Sequence, residues 1–380
     1  MSLTCTCKKN NKFLNGVFQF LKDNVVLCIA SILALITSFI IPPDSEYLTY
    51  FDFKTLTCLF CVLAVVNALK GVKFFTLLAT KIVTIFKNTR SCILALVYVT
   101  FIGSMLIAND MALLTFLPLG YFVLTGANKK NLMAFTFIMQ NIAANLGGML
   151  TPFGNPQNLY LYSFFNIGNL DFVSTMALPF ILSVTLITIC CLFIKKEPLT
   201  IEDTSQKLPK VKTTIYLLLF ALSIIIVFRF IHYIIGLIVI LITLLIMDRK
   251  ALKKVDYGLL FTFVVFFIFA GNTARIPAIS KALSSLMETS PLLVPVISCQ
   301  FISNVPSAIL LSKFTSNWQA LLVGVNIGGV GTLISSLASL ITFKEYTKHN
   351  PHKTLKYIGL FSIFNFGFLI ILTTVMLFII

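Results

Sequence analysis

The sequence predicts an all-α polytopic membrane protein. It consists of two inverted repeats, each with a re-entrant helical hairpin and a broken helix, and has about nine spanning helices besides the two hairpins. Three observations lead there. Of 380 residues, 58% are hydrophobic and only 11% charged, with a mean hydropathy of +0.97, whereas soluble domains carry roughly 25% charged residues. Lys and Arg are gathered in short stretches between apolar runs. Finally, the chain breaks its apolar runs twice with the same succession of polar and small residues. So much apolar surface requires lipid as solvent.

A spanning helix needs about 20 apolar residues. The first such run is roughly 24–41, preceded by Lys8, Lys9, Lys12 and Lys22 and ending at Pro42-Pro43 without a small-residue cleavage site. It reads as an uncleaved signal anchor. An acidic loop follows (Asp44, Glu46, Asp52), then a helix at 55–69. Lys70, Lys73, Lys81, Lys87 and Arg90 alternate with apolar residues, as in an amphipathic helix lying in the interface. Residues 91–125 are almost uncharged but broken at Asn109-Asp110. A helix from about 131 meets Gly147-Gly148, Pro152, Gly154 and Pro156, and another spans 172–194. After a polar linker at 195–212 come runs at 213–230, 232–247 and 257–271, then an amphipathic piece at 274–288. The stretch 290–315 is interrupted at Ser303-Asn304-Val305-Pro306, and runs at 317–343 and 356–380 close the chain.

The net charge of +16 does not point to nucleic acid, because the cations sit in loops rather than along one face. In a membrane protein such loops mark the cytoplasmic side. That rule puts the N-terminus, 70–90, Lys129-Lys130, Lys195-Lys196, 207–212, 249–254 and 344–356 in the cytoplasm of a plasma-membrane protein. The alternation holds only if 91–125 enters from the cytoplasm and returns, and 290–315 enters from outside and returns. Both are then hairpins, whose irregular tips must be buried in protein or line a cavity.

Ala108-Asn109-Asp110 is echoed by Ser303-Asn304-Val305, and Asn145-Leu146-Gly147-Gly148 by Asn326-Ile327-Gly328-Gly329, each followed by Thr (Thr151, Thr332). The repeats cover 25–194 and 232–380, with 213–230 as a connecting helix. Inverted repeats with discontinuous helices are a construction of secondary transporters, which bind solute and coupling ion near the midplane.

Helix breaks free backbone carbonyls for cations and N–H groups for anions, and Asn, Ser and Thr add hard oxygen ligands. The candidate site is Asn109, Asp110, Thr151, Gly154, Asn155, Ser303, Asn304, Gly328, Gly329 and Thr332, with a possible sodium ion near Asn109, Gly154, Asn304 and Gly329. Asp110 is the only carboxylate between Asp52 and Asp171, and a charge at membrane depth marks an ion path unless the tip reaches the headgroups. Gly328 to Thr332 could instead be a small-residue packing seam. Gln140 and Asn141 could line a cavity or bridge helices. Arg275 could meet an anion or anchor the interface, and Arg229 and His232 end a span.

Enzymatic motifs are missing. Nine cysteines, including Cys58 and Cys61 at a spacing of three, have no histidines placed to complete a zinc site. No phosphate-binding Gly-Lys-Ser/Thr loop provides ATP drive. The expectation is no enzyme and no cofactor, with sodium or a proton as coupling ion.

In Ala108 to Thr115, Asn145 to Asn158 (NLGGMLTPFGNPQN), Ser303 to Ala308 and Asn326 to Thr332 (NIGGVGT), the chain resembles the ion transporter superfamily of divalent-anion/sodium symporters, citrate-transporter-like and arsenite permeases. The resemblance covers essentially the whole chain. It implies a dimer-forming scaffold and a transport unit that moves like an elevator. Symporter hairpins in that family carry Ser-Asn-Thr, from which both tips here depart. The Asn-Asp pair is similar to arsenite permeases, and the Gly-Asn-Pro-Gln-Asn context to short bacterial citrate-transporter-like permeases. The expected function is secondary active transport of a small carboxylate or other oxyanion by a homodimer in the bilayer, with no nucleic-acid partner. The alternative is arsenite efflux or sodium/proton antiport.

Overall fold

The computed structural model describes residues 25–198 and 208–380. The N-terminal lysines, Cys5, Cys7 and the linker residues 199–207 lie outside the described residues.

Among the described residues, eighteen α-helices follow in order and no strand occurs. The first half has α1 (Val25–Ile40), α2 (Phe53–Gly71), the short α3 (Phe74–Thr84), the pair α4 (Thr89–Ile107) and α5 (Asn109–Gly126), the pair α6 (Met133–Gly147) and α7 (Pro156–Phe164), and α8 (Asn169–Leu192). Then come α9 (Lys210–Val227), α10 (Tyr233–Met247) and the single turn α11 (Arg249–Lys253). The order resumes with α12 (Tyr257–Ala274), α13 (Pro277–Thr289), the pair α14 (Leu293–Ile302) and α15 (Asn304–Leu311), the pair α16 (Trp318–Ile327) and α17 (Leu337–His349), and α18 (Thr354–Leu377).

Local chemistry sets the helix starts. Asp52, Asn88, Asp256, Asn317 and Ser336 each accept a hydrogen bond from the backbone N–H three residues on, satisfying a donor the helix leaves free. Pro156 and Pro277 open α7 and α13, where a missing N–H costs nothing. Among the described residues, six helices are long and apolar enough to cross a bilayer, including α4. Large apolar side chains such as Phe39, Leu218, Ile246 and Ile363 are exposed on the outer surface, as lipid-facing residues are. The protein is an all-α polytopic membrane protein.

The helices of the two halves pack crosswise. α1 lies along α12, and α2 lies between α9 and α10. The paired helices interlock elsewhere: α4 packs on α5 and α6, α14 on α15 and α16, while α17 of the second half reaches α5 and α6 of the first. Ion pairs stand at the ends. Arg275 pairs with Asp44 at 2.7 Å and Glu46 at 3.4 Å and donates to the Tyr50 hydroxyl, joining the acidic loop to the end of α12. Arg229 donates to the Tyr162 carbonyl and the Asn166 amide oxygen and covers the Tyr162 ring. At another end, Lys129 pairs with Glu197, and Thr89 and Arg90 donate to the carbonyls of Lys195 and Ile194.

Candidate functional site

Each hairpin turns on a single residue. Ala108 has φ 66° and ψ 149°, and Ser303 has φ 75° and ψ 160°. That region is almost reserved for glycine, and other residues there cost about 1–3 kcal/mol, which surrounding structure must offset. Two non-glycine residues therefore hold the same strained conformation in corresponding places.

The hydrogen bonds that hold them also correspond. The Asn109 N–H donates to the Gly154 carbonyl at 3.2 Å, and the Asn304 N–H to the Ser335 carbonyl at 3.0 Å. Gly154 and Ser335 stand three residues after Thr151 and Thr332, so each tip docks at the same point of the unwound stretch that follows it. Behind the tips, the Thr151 hydroxyl donates to the Met105 carbonyl at 2.7 Å, and the Thr332 hydroxyl to the Gln300 carbonyl at 3.0 Å. Met105 and Gln300 both lie three residues before their tip.

The two tips approach each other through Asn145 and Gly329. The Asn109 Nδ2 donates to Asn145 Oδ1 at 3.2 Å. A Cβ added to Gly329 would stand 3.0 Å from Asn304 Nδ2 and 3.7 Å from Asn145 Oδ1. Asn155 Nδ2 donates to the Asn145 carbonyl and to Asn326 Oδ1, both at 3.1 Å, and Asn326 Nδ2 donates to Asn158 Oδ1 at 2.6 Å. One amide network thus joins both breaks and the first tip, with Gly329 as the open position beside the second.

Four helices begin at this junction (α5, α7, α15, α17) and four end there (α4, α6, α14, α16). Helix N-termini favour anions, and C-terminal carbonyls favour cations. In the first tip and the first break, four buried side-chain oxygens accept no hydrogen bond: Asn109 Oδ1, Asp110 Oδ1, Asn155 Oδ1 and Gln157 Oε1. Buried acceptors are ordinarily satisfied, and an ion path is one reason for exceptions. The junction is not equidistant from the helix ends. At 1.5 Å per residue, the 19 residues of α4 span about 28 Å and the ten of α14 only about 15 Å.

Of the sequence-predicted residues, Asn109, Gly154, Asn155, Asn304 and Gly329 are brought together. Gly148 and Gly154 meet closely: a Cβ on Gly148 would lie 2.2 Å from Asn155 Oδ1, and one on Gly154 2.3 Å from the Gly148 carbonyl. Asp110 follows Asn109 in the first turn of α5, with one carboxylate oxygen buried. Thr151 and Thr332 turn their hydroxyls to the hairpin arms. The Ser303 hydroxyl faces Asn304 Oδ1 at 3.4 Å. Gly328 belongs to a packing seam, where a Cβ would stand 2.8 Å from Cys299, whereas its neighbour Gly329 faces the asparagines. Gln140 and Asn141 bridge helices: Gln140 donates to Thr100 and the Phe116 carbonyl, and Asn141 to Ser339 and Asn365. Asn145, Gln157, Asn158, Gln300 and Asn326 are the residues that sequence reasoning left off the site. The Asn-x-x-Gly echo marked Asn145 and Asn326, and the amide-rich break marked Gln157 and Asn158. Nothing marked Gln300.

The sequence pattern of the family described as Citrate transporter matches residues 17–320. An uncharacterized transporter of Methanocaldococcus jannaschii is 34% identical over 315 residues, 82% of this chain and 86% of that protein. The inner membrane protein YbiR of Escherichia coli is 29% identical over 306 residues, 77% of this chain and 80% of its own length. With a family pattern running through both hairpins and the first break, and a transporter relative aligned along most of its length, this multi-pass membrane protein is a transporter rather than an enzyme and belongs to the citrate transporter family.

Proposed function

We propose that the protein is a secondary active transporter that carries a small carboxylate or other oxyanion across the cell membrane, coupled to a sodium or proton gradient. The observation that supports this most is the approach of the two tip asparagines, Asn109 and Asn304, to Asn145 and Gly329 at the meeting point of four helix N-termini. The N-termini and Asn amides would hold the anion. The unpartnered oxygens of Asn109 and Asn155, with carbonyls near Gly154, Asn304 and Gly329, offer oxygen ligands of the kind sodium takes.

Transport follows from which parts are tied together. One amide network joins both breaks and the first tip, and the Asn304 N–H binds the second tip to the Ser335 carbonyl, so hairpins and broken helices would move as a body against α1, α2, α9, α10 and α12. That division supports an elevator motion, two inverted repeats (25–194 and 232–380) and a homodimer formed through the static helices. The basic loops support a cytoplasmic N-terminus. Uptake into proteoliposomes tests the reading. Citrate, a dicarboxylate or an inorganic oxyanion should accumulate only under a sodium or proton gradient, and gradient-independent or absent movement of all three overturns it.

A second reading, arsenite efflux or sodium/proton antiport, is favoured by the buried Asp110 Oδ1 without a partner, because a proton or cation would neutralise it. Asp110→Asn should then abolish transport or its pH dependence. Unchanged transport with unchanged pH dependence rules that role out.

A further inference from the structure

The two unwound stretches face one problem and solve it from opposite sides. Between α6 and α7, and again between α16 and α17, backbone carbonyls lose their helical partners in a buried setting, where an unsatisfied polar group is destabilising. In the second break, the Gln300 side chain from hairpin arm α14 supplies the missing contacts. Its Nε2 donates to the carbonyls of Gly328 at 2.9 Å and Val330 at 3.2 Å, while its Oε1 accepts from the Thr332 N–H at 2.9 Å. Gly331 has φ +128°, and a Cβ there would lie 2.2 Å from Gln300 Oε1, so the loop is shaped around this amide.

The first break has methionine, Met105, at the place of Gln300. Its carbonyls are held instead from the other side by Asn158 of α7. Asn158 Nδ2 lies 3.1 Å from the Gly148 carbonyl, 3.2 Å from that of Met149 and 3.3 Å from that of Thr151. The second half has Ser339 where the first has Asn158, and its hydroxyl is engaged with the Ser336 hydroxyl and the Asn141 amide rather than with loop carbonyls. In each half one side-chain amide thus holds several carbonyls of the unwound stretch, and the two amides stand in different positions.

We propose that Gln300 and Asn158 are positioning residues of the transport site: each holds one unwound segment in the shape that presents Gly329 to the Asn304 tip or Gly154 to the Asn109 tip. The assignment rests on the transport reading above for its consequence, but not for its geometry. Gln300 ties the second break to its own hairpin arm, so hairpin and break keep their relation as they move. Asn158 ties the first break to the helix that follows, so its links to its own hairpin are the Thr151–Met105 bond and the bond from the Asn109 N–H to the Gly154 carbonyl.

Hydrogen–deuterium exchange on the purified full-length protein in nanodiscs tests this without any transported solute. Gln300→Met should speed exchange of peptides covering 328–335 by about tenfold and leave 148–155 as in the wild type. Asn158→Ser should do the reverse. Adding Met105→Gln to Asn158→Ser, which moves the second half's solution into the first, should restore protection of 148–155. Where citrate uptake is measurable, the same variants should raise its half-saturation concentration while the maximal rate per folded protein changes less, and the rescue should follow. Wild-type exchange at 328–335 in Gln300→Met overturns the proposal. So does a double variant no better protected than Asn158→Ser, which also carries the test if Gln300→Met does not fold. Failure of wild-type uptake with these exchange patterns intact would instead overturn the citrate reading.

Discussion

Asn155 donates through its side-chain amide to Asn326 Oδ1 at 3.1 Å, joining the first helix break to the end of α16, 171 residues away. Asn326 in turn donates to Asn158 Oδ1 and to the Leu322 carbonyl. Replacing Asn326 by Leu leaves two buried amides short of partners, at about 1–3 kcal/mol for each group left unsatisfied. We expect a lower thermal midpoint in detergent and loss of transport, measured on the same preparation.

Ala108 and Ser303 both sit at positive φ. Ala108→Gly and Ser303→Gly remove a steric penalty of about 1–3 kcal/mol but widen the freedom of the unfolded chain. The net expectation is equal or higher thermal stability, whereas Ala108→Val should fall clearly below the wild type. Thermal midpoints of the three variants check this.

Gly328 and Gly329 should respond differently to the same substitution. In Gly328→Ala the new methyl would stand 2.8 Å from Cys299 on the packed arm α14, so stability should drop. In Gly329→Ala the methyl would meet Asn304 Nδ2 at 3.0 Å, a side chain able to give way, so folding should survive while coupling-ion or solute affinity weakens. Thermal midpoints and the sodium and citrate dependence of uptake separate the two effects.

Asp110→Asn keeps the shape of the first tip and removes its charge. We expect a folded protein whose transport loses its dependence on the coupling ion or on pH. Uptake measured across a range of sodium concentrations and pH checks it.

At the protein's edge, the hydrogen bond from Arg275 holds the Asp44 carboxyl below its ordinary value of 3.8, helped by the guanidinium charge. A carboxylate with a depressed folded value contributes stability that is fully present above its unfolded value and is lost as pH falls through the folded one. The pair should therefore help at neutral pH and fail under strong acid. Arg275→Gln should lower the thermal midpoint at pH 7, and the gap to wild type should close as pH drops below about 3.8. A gap independent of pH would assign the contact no electrostatic role.

The element order was legible because its signals are local. Run length, Pro42-Pro43, the basic stretches between runs, and the Gly and Pro clusters at 147–156 and 328–331 act within a turn or two of where they stand. The site was legible in part for the same reason: Asn109, Asn155 and Asn304 mark helix starts that any buried break must provide. Thr151 and Thr332 show the limit. Their type and position suggested ligands, yet their hydroxyls complete bonds to Met105 and Gln300, residues 46 and 32 positions away.

By itself, the sequence determined that the chain lives in lipid, where its helices start and break, and which residue types the breaks contain, because hydropathy, helix propensity and capping depend on near neighbours. Only the tertiary structure decided which amide faces which carbonyl: that Gly329 faces the asparagines while Gly328 packs, and that Gln300 holds one break and Asn158 the other. The physical reason is that a buried polar atom is satisfied by whatever packing brings within about 3 Å, and in this fold packing brings together groups from opposite halves of the chain.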